Sequence, residues 1–101
     1  MARKVIWANA AVSDLDAAAD YISNDSPAYA ASFVLKTLKS ARSLGDLSER
    51  GRVVPEFKRE DIREIFVFNY RLVYRIEKIG CQMGLITNQQ ENRLALLIAN
   101  F

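Results

Sequence analysis

Apolar positions along the chain switch between two periods, and the switches mark the elements. Residues 4–7, "KVIW", form a short apolar run rich in strand formers and predict an opening strand. Val12, Leu15, Ala19 and Ile22 then recur at helical spacing among acidic residues, with Asn9 as the expected cap and a stop near Asn24, where "SNDSP" is turn chemistry. Ser26 and Pro27 restart the chain: a hydroxyl that can cap, followed by a residue whose missing donor does no harm at a helix start. Ala30, Phe33, Val34, Leu38, Ala41 and Leu44 give a second, longer helix ending around residues 45–47. Two helices joined so closely predict an antiparallel hairpin. Residues 48–61 are polar, broken by Gly51 and Pro55, and read as a loop.

Period two dominates afterwards. Residues 62–68 and 70–77 predict paired strands, and the ending "RLALLIANF" predicts another. The stretch 78–92 is ambiguous: "QMGLIT" can extend a strand, whereas "NQQEN" is turn or loop. The order β-α-α-β-β-β predicts an α+β fold, a helical hairpin packed on a small, mainly antiparallel sheet, as one domain over residues 1–101.

The hairpin "REIFVFNYRLVYRIE" raises the functional question. A two-residue turn at Asn69-Tyr70, with Asn supplying left-handed backbone, pairs Phe68 with Arg71, Val67 with Leu72, Phe66 with Val73, Ile65 with Tyr74, Glu64 with Arg75 and Arg63 with Ile76. One face then carries Ile65, Val67, Leu72, Tyr74 and Ile76, with Arg63 near its edge, and belongs under the helices. The other carries Glu64, Phe66, Phe68, Arg71, Val73 and Arg75. Two readings of that second face stand side by side. It is either a half-exposed sheet with a Glu64–Arg75 cross-strand pair, or an apolar, arginine-rimmed groove for a protein partner, since aromatics and Arg are enriched at interfaces.

Composition narrows the chemistry. The net charge of +2 is too small to announce a nucleic-acid binder. The chain has no histidine, which removes Ser-His and Cys-His nucleophile pairs, histidine bases and most zinc sites; no metal or cofactor is expected. Cys81 stands alone, so no internal disulfide forms, and a reducing compartment fits. No signal-like or membrane-spanning apolar run is present, which points to the cytoplasm and away from membranes. Trp7 reads as a strand-to-helix packing residue and Cys81 as an incidental thiol. The acidic stretch 11–25 reads as a solvated face.

The segments "VIWANAAVSDLDAAADYI", "DSPAYAASF", "GRVVPE", "IREIFV" and "YRLVYRI", in this order over residues 5–77, resemble the RelE/ParE superfamily of bacterial toxins, the plasmid stabilization proteins, with the ParE branch nearest. The resemblance implies a β-α-α-β-β-β fold and a toxin neutralised by a cognate antitoxin that wraps it. It also implies inhibition of DNA gyrase for a ParE-like member, or ribosome-dependent cleavage of mRNA for a RelE-like one. A third possibility is a toxin fold that has lost activity and only binds its antitoxin. Relatives commonly end their last strand with a histidine or other polar residue and a trailing arginine; Asn100 stands near that place here.

The positions that match the family are Arg52, Pro55, Glu56, Arg63, Glu64, Tyr70, Arg71, Tyr74 and Arg75, with Gly51 and Pro55 expected to shape the loop and Tyr74 to pack. Together with the groove residues Phe66 and Phe68 of the hairpin reading, the expected target- or antitoxin-binding set is Arg52, Glu56, Arg63, Glu64, Phe66, Phe68, Arg71 and Arg75. For a nuclease, Arg63, Arg71 and Arg75 would clamp phosphate through forked donors. Arginine does not give up its proton, so the base would be Glu64, Glu56 or a tyrosine or lysine of strongly shifted pKa. Gyrase inhibition requires only a binding surface, and no catalytic residue is assigned for it.

Overall fold

The computed structural model describes residues 4–77 and 80–88, with the backbone alone at residues 82 and 84–88. A strand β1 (Lys4–Trp7) leads into helices α1 (Asn9–Ser23) and α2 (Pro27–Ser43). A 3₁₀ turn at Ser48–Arg50 follows, then β2 (Arg52–Val53), β3 (Ile62–Val67), β4 (Tyr70–Ile76) and β5 (Gly80–Asn88). The five strands lie in the order β1-β5-β4-β3-β2, all antiparallel except the parallel pair β1–β5. The α+β architecture expected from the periodicity is present; among the described residues the two-residue β2 is an addition, lying inside the stretch read as loop.

The helices bury one stripe each against one face of the sheet. Ala11, Leu15 and Ala18 of α1 and Phe33 and Ala41 of α2 join Ile65, Val67, Leu72, Tyr74, Cys81 and Met83 in the main core, with Trp7 and Ile22 packed at its margin. Leu15 and Ile22 pack as expected, but Val12 is 44% exposed, and Ala11 and Ala18 stand in the core in place of the expected Val12 and Ala19. Thr37, polar but buried, returns its hydroxyl to the Phe33 carbonyl at 2.8 Å and so remains compatible with the core. Ser26 caps α2 as expected, accepting from the Tyr29 N–H at 3.1 Å, with Pro27 in the first turn. Asn9 does not cap α1. Ala8 takes that place because its N–H donates to the Met83 carbonyl (3.0 Å), and this bond to β5 fixes the chain one residue earlier.

β5 comes from the ambiguous stretch and is interior to the sheet. Val73 pairs with Leu85 and Tyr74 with Met83, so Gly84 is an extra residue that breaks the period of two. Gly80 faces Lys4 across the parallel pairing; a Cβ there would stand 2.8 Å from the Lys4 carbonyl oxygen. The buried Cys81 thiol reaches the Leu44 carbonyl at 3.5 Å. The expected strand "RLALLIANF", with Asn100, lies outside the described residues.

The β3–β4 turn is Phe68-Asn69, not Asn69-Tyr70. Val67 pairs with Tyr70, Phe66 with Arg71, Ile65 with Leu72, Glu64 with Val73, Arg63 with Tyr74 and Ile62 with Arg75. Every expected pair is therefore displaced by two residues, and the ladder residues keep their expected faces, because side chains alternate with a period of two; Phe68, expected on the outer face, moves into the turn. The left-handed residue is Phe68 (φ 54°), at the first turn position where glycine is normally favoured. Its ring is compensated by stacking on Tyr29 (centroids 5.0 Å apart) and lying 6.2 Å from Phe33.

Tyr74 ties the sheet to the 3₁₀ turn. Its hydroxyl donates to the Ser48 carbonyl (2.5 Å) and accepts from the Gly51 N–H (3.1 Å). Gly51 is required by this close approach: a Cβ would meet the Tyr74 hydroxyl at 2.5 Å and the Glu64 carbonyl oxygen at 2.7 Å. Arg63 completes the clasp, donating to the main-chain carbonyls of Glu60, Glu49 and Gly51 at 2.9, 3.2 and 3.1 Å.

Two outcomes follow. Gly51→Ala lowers stability by about 1–3 kcal/mol, the cost of forcing an extra methyl into a packed site, checked by urea unfolding. Burial pushes the Tyr74 phenol above its ordinary value of 10.0, opposed by the Gly51 hydrogen bond and by Arg63. Below that value folded and unfolded chains both hold the proton. As the pH rises past it the unfolded chain ionises first, so stability falls toward the raised folded value. Tyr74→Phe, costing about 1–3 kcal/mol at neutral pH, flattens this alkaline loss; an unchanged slope would assign it elsewhere.

Candidate functional site

The face of the hairpin turned away from the helices collects most of the residues of interest. Alternation from β3 and β4 places Ile62, Glu64, Phe66, Arg71, Val73 and Arg75 there, and the short β2 adds Arg52 directly opposite Glu64. The loop after β2 closes over part of this face. Pro55 presets the backbone of a tight turn in which the Phe57 and Lys58 N–H groups both donate to the Val54 carbonyl at 3.1 Å, and Lys58 takes a left-handed conformation (φ 52°). The turn carries Glu56 to Arg71.

Glu64 is the centre of the arrangement. Its side chain is 0% exposed, yet neither oxygen lacks a partner. One accepts from Arg52 Nε and the other from Arg71 Nη1 at 3.1 Å, and that same nitrogen reaches Glu56 at 3.0 Å. A carboxylate deprived of water demands such compensation. Arg52 remains 60% exposed and lies over the Phe66 ring, 5.2 Å from its centroid, while Phe66 itself is 44% exposed. The surface presented to solvent is thus a guanidinium stacked on an aromatic ring above a neutralising carboxylate. Farther along β4, Arg75 pairs with Glu77 at 2.8 Å.

The structure brings Arg52, Glu56, Glu64, Phe66 and Arg71 together and leaves Arg75 on the same face beyond them. It separates Arg63 and Phe68 from the group. Arg63 spends its donors on main-chain carbonyls, and Phe68 has turned to the helix side onto Tyr29 and Phe33. Two expectations are corrected here. The Glu64–Arg75 pair does not form, because the shifted register sets Glu64 opposite Val73. The Phe66–Phe68 groove does not form either, because Phe68 lies in the turn and not in the ladder.

As chemistry, the site offers fixed charge and a stacking surface. Glu64 is enclosed by two guanidinium groups, Arg71 is shared between two carboxylates, and Arg63, Glu64, Arg71 and Arg75 do not converge on one point. Among the described residues no group of three or more His, Cys, Asp or Glu could hold a metal ion, and no helix is long and apolar enough to cross a membrane. Burial of Glu64 escaped sequence reading because its partner Arg52 lies on a strand too short to show any period. A second cluster also escaped it: Tyr21, Tyr29 and Phe68 at the end of the helical hairpin, whose only signal was aromatic residues standing off the apolar stripes.

Comparison with known proteins places this geometry. No curated protein sequence matches the chain. A solved structure of the chromosomal ParDE TA system from P. aeruginosa matches with a TM-score of 0.69 at 20% identity, covering 85% of this chain and 95% of that one, and so shares the fold. The family model described as ParE toxin of type II toxin-antitoxin system, parDE, matches residues 5–81, well over half the chain. With the helical hairpin, β2 and the arginine-bearing β3–β4 hairpin all inside the matched span, the chain belongs to the ParE toxin family of type II toxin–antitoxin systems.

Proposed function

We propose that this ParE-family toxin acts by binding: it inhibits DNA gyrase through the outer face of the β2–β3–β4 sheet and is neutralised by a cognate antitoxin. The observation that carries the reading is the Arg52–Glu64–Arg71 arrangement. It holds a cationic, aromatic surface rigidly, and its one buried carboxylate is committed to two guanidinium groups and sealed from solvent. Such a carboxylate is poorly placed to take a proton from a nucleotide hydroxyl, which general-base chemistry would require. A binding surface needs no base. It needs anchored arginine and aromatic side chains, the residue types that dominate interface energetics. Arg52, Phe66, Arg71 and Arg75 are the residues assigned to target contact, Glu56 and Glu64 to holding them, and Arg63 to bracing the 3₁₀ turn beneath.

Induced expression in bacteria tests the mechanism. Gyrase inhibition predicts SOS induction and trapped DNA cleavage complexes. Translation arrest with cut mRNA would assign the nuclease activity instead, and unaffected growth would leave a binder of antitoxin alone. Within the first outcome, Arg52→Lys, which keeps a positive charge beside Glu64 but loses the planar group over Phe66, and Phe66→Ser each weaken gyrase inhibition by about tenfold or more, the scale of an interface hot spot, while the thermal midpoint moves little. Glu64→Ala behaves oppositely, losing about 1–3 kcal/mol of stability as Arg71 gives up a buried partner, read by urea unfolding. Full gyrase inhibition by the Arg52 and Phe66 variants would remove the outer face from the mechanism.

A further inference from the structure

The helix side of the molecule carries a feature that the outer-face reading does not use. Where the α1–α2 connection meets the β3–β4 turn, a cleft of about 380 Å³ opens between Tyr21, Asp25, Ser26, Tyr29, Phe68 and Tyr70. That volume lies at the small end of ligand sites, about 300–1,000 Å³. Its walls are aromatic and remain accessible: Tyr21 is 71% exposed, and Tyr29 and Phe68 are exposed as well. Folding normally hides such rings; a group of them left at the surface marks an interaction site.

The rings are held in place rather than scattered. Tyr29 stacks on Phe68 at 5.0 Å, and Tyr70 packs on Phe33 at 4.9 Å, so the wall is anchored in the core through Phe33. The charge at the cleft has one sign. Among the described residues Asp25 is the only carboxylate in its lining and no basic residue lines it, and α1 brings Asp14, Asp16 and Asp20 along the adjoining helix. Asp25 makes no ion pair among the described residues. Lys36, outside the lining, holds its Nζ 5.5 Å from the Phe68 centroid. A cation set over a ring is a favourable arrangement, and this one leaves Tyr21, Tyr29 and Asp25 to the occupant of the cleft.

From these observations we infer that the cleft binds an arginine side chain presented by a segment of a partner protein. Aromatic faces beside a carboxylate are the chemistry of organic-cation recognition. The planar, weakly hydrated guanidinium stacks on rings and accepts a carboxylate on its edge, which a compact ammonium does less well. Nucleic acid does not fit, because Asp25 and the α1 carboxylates repel phosphate. The inference is independent of the gyrase reading, since it concerns the opposite side of the β3–β4 hairpin.

Titration of the full-length protein with N-acetyl-arginine amide, followed by amide NMR shifts, tests it directly. Saturable shifts are expected at Asp25, Ser26, Asn69 and Tyr70. The neutral isostere N-acetyl-citrulline amide should bind about two- to fivefold more weakly, in line with a cation–π contribution of about 0.5–1 kcal/mol. Asp25→Asn, a substitution at an exposed position, should reduce arginine affinity by a similar factor while leaving the spectrum otherwise unchanged. Equal binding of arginine and citrulline probes, shifts spread along the acidic face of α1, or no saturable shift at the cleft would each overturn the assignment. None of these outcomes depends on whether gyrase is inhibited.

Discussion

A carboxylate without water has to find its counter-charges inside the protein, and Glu64 organises much of this structure by doing so. Its two oxygens face guanidinium groups from different strands, Arg52 on β2 and Arg71 on β4, and Arg71 extends the chain of charge to Glu56 on the loop. The two-residue β2 has little backbone pairing of its own; the ion pair to Glu64 helps to keep it at the sheet edge. Desolvation makes the arrangement costly and therefore exacting: a partner out of place would leave a buried charge unmet. Among the described residues no buried side-chain polar atom lacks a hydrogen-bond partner.

The other face of the same hairpin is governed by Tyr74. Glu64 and Tyr74 lie on opposite sides of the sheet, yet both converge on the segment 48–56, one through the Ser48 carbonyl and Gly51 N–H and the other through Arg52. A segment that reads as a polar connection is consequently clamped from two directions. This gives the ParE-family surface its character. The arginines are neither loose solvated charges nor catalytic bases waiting for substrate. They are positioned groups, differing in how much of each remains available to a partner: Arg52 largely so, Arg71 much less, Arg63 committed to main-chain carbonyls.

The proposed division of function rests on the same geometry. Aromatic residues are split between two sides, with Phe66 under Arg52 on the outer face and Phe68 with Tyr29 on the helix side. A toxin that must meet both a cellular target and a neutralising partner benefits from two chemically different surfaces, one presenting guanidinium and the other presenting carboxylate and ring faces. Opposite preferences reduce competition between the wrong partner and the wrong surface.

Hydrophobic spacing determined where the helices lie, the stripes they bury, the cap at Ser26 and the inner face of the hairpin, because each depends on a local period that neighbouring residues share. It also carried the family resemblance. Even the mistaken turn preserved the faces of the ladder residues, since a displacement of two residues returns each of them to its own side; Phe68, now in the turn, is the exception. Only the tertiary structure decided the rest. Phe68 adopts a left-handed backbone because rings from a distant helix stabilise it, β5 hides its period behind an extra glycine, and Glu64 is buried because arginines 12 residues before and 7 after it in sequence meet it in space. Interactions across that separation leave no periodic trace in a single sequence; they exist only once the sheet has brought the strands together.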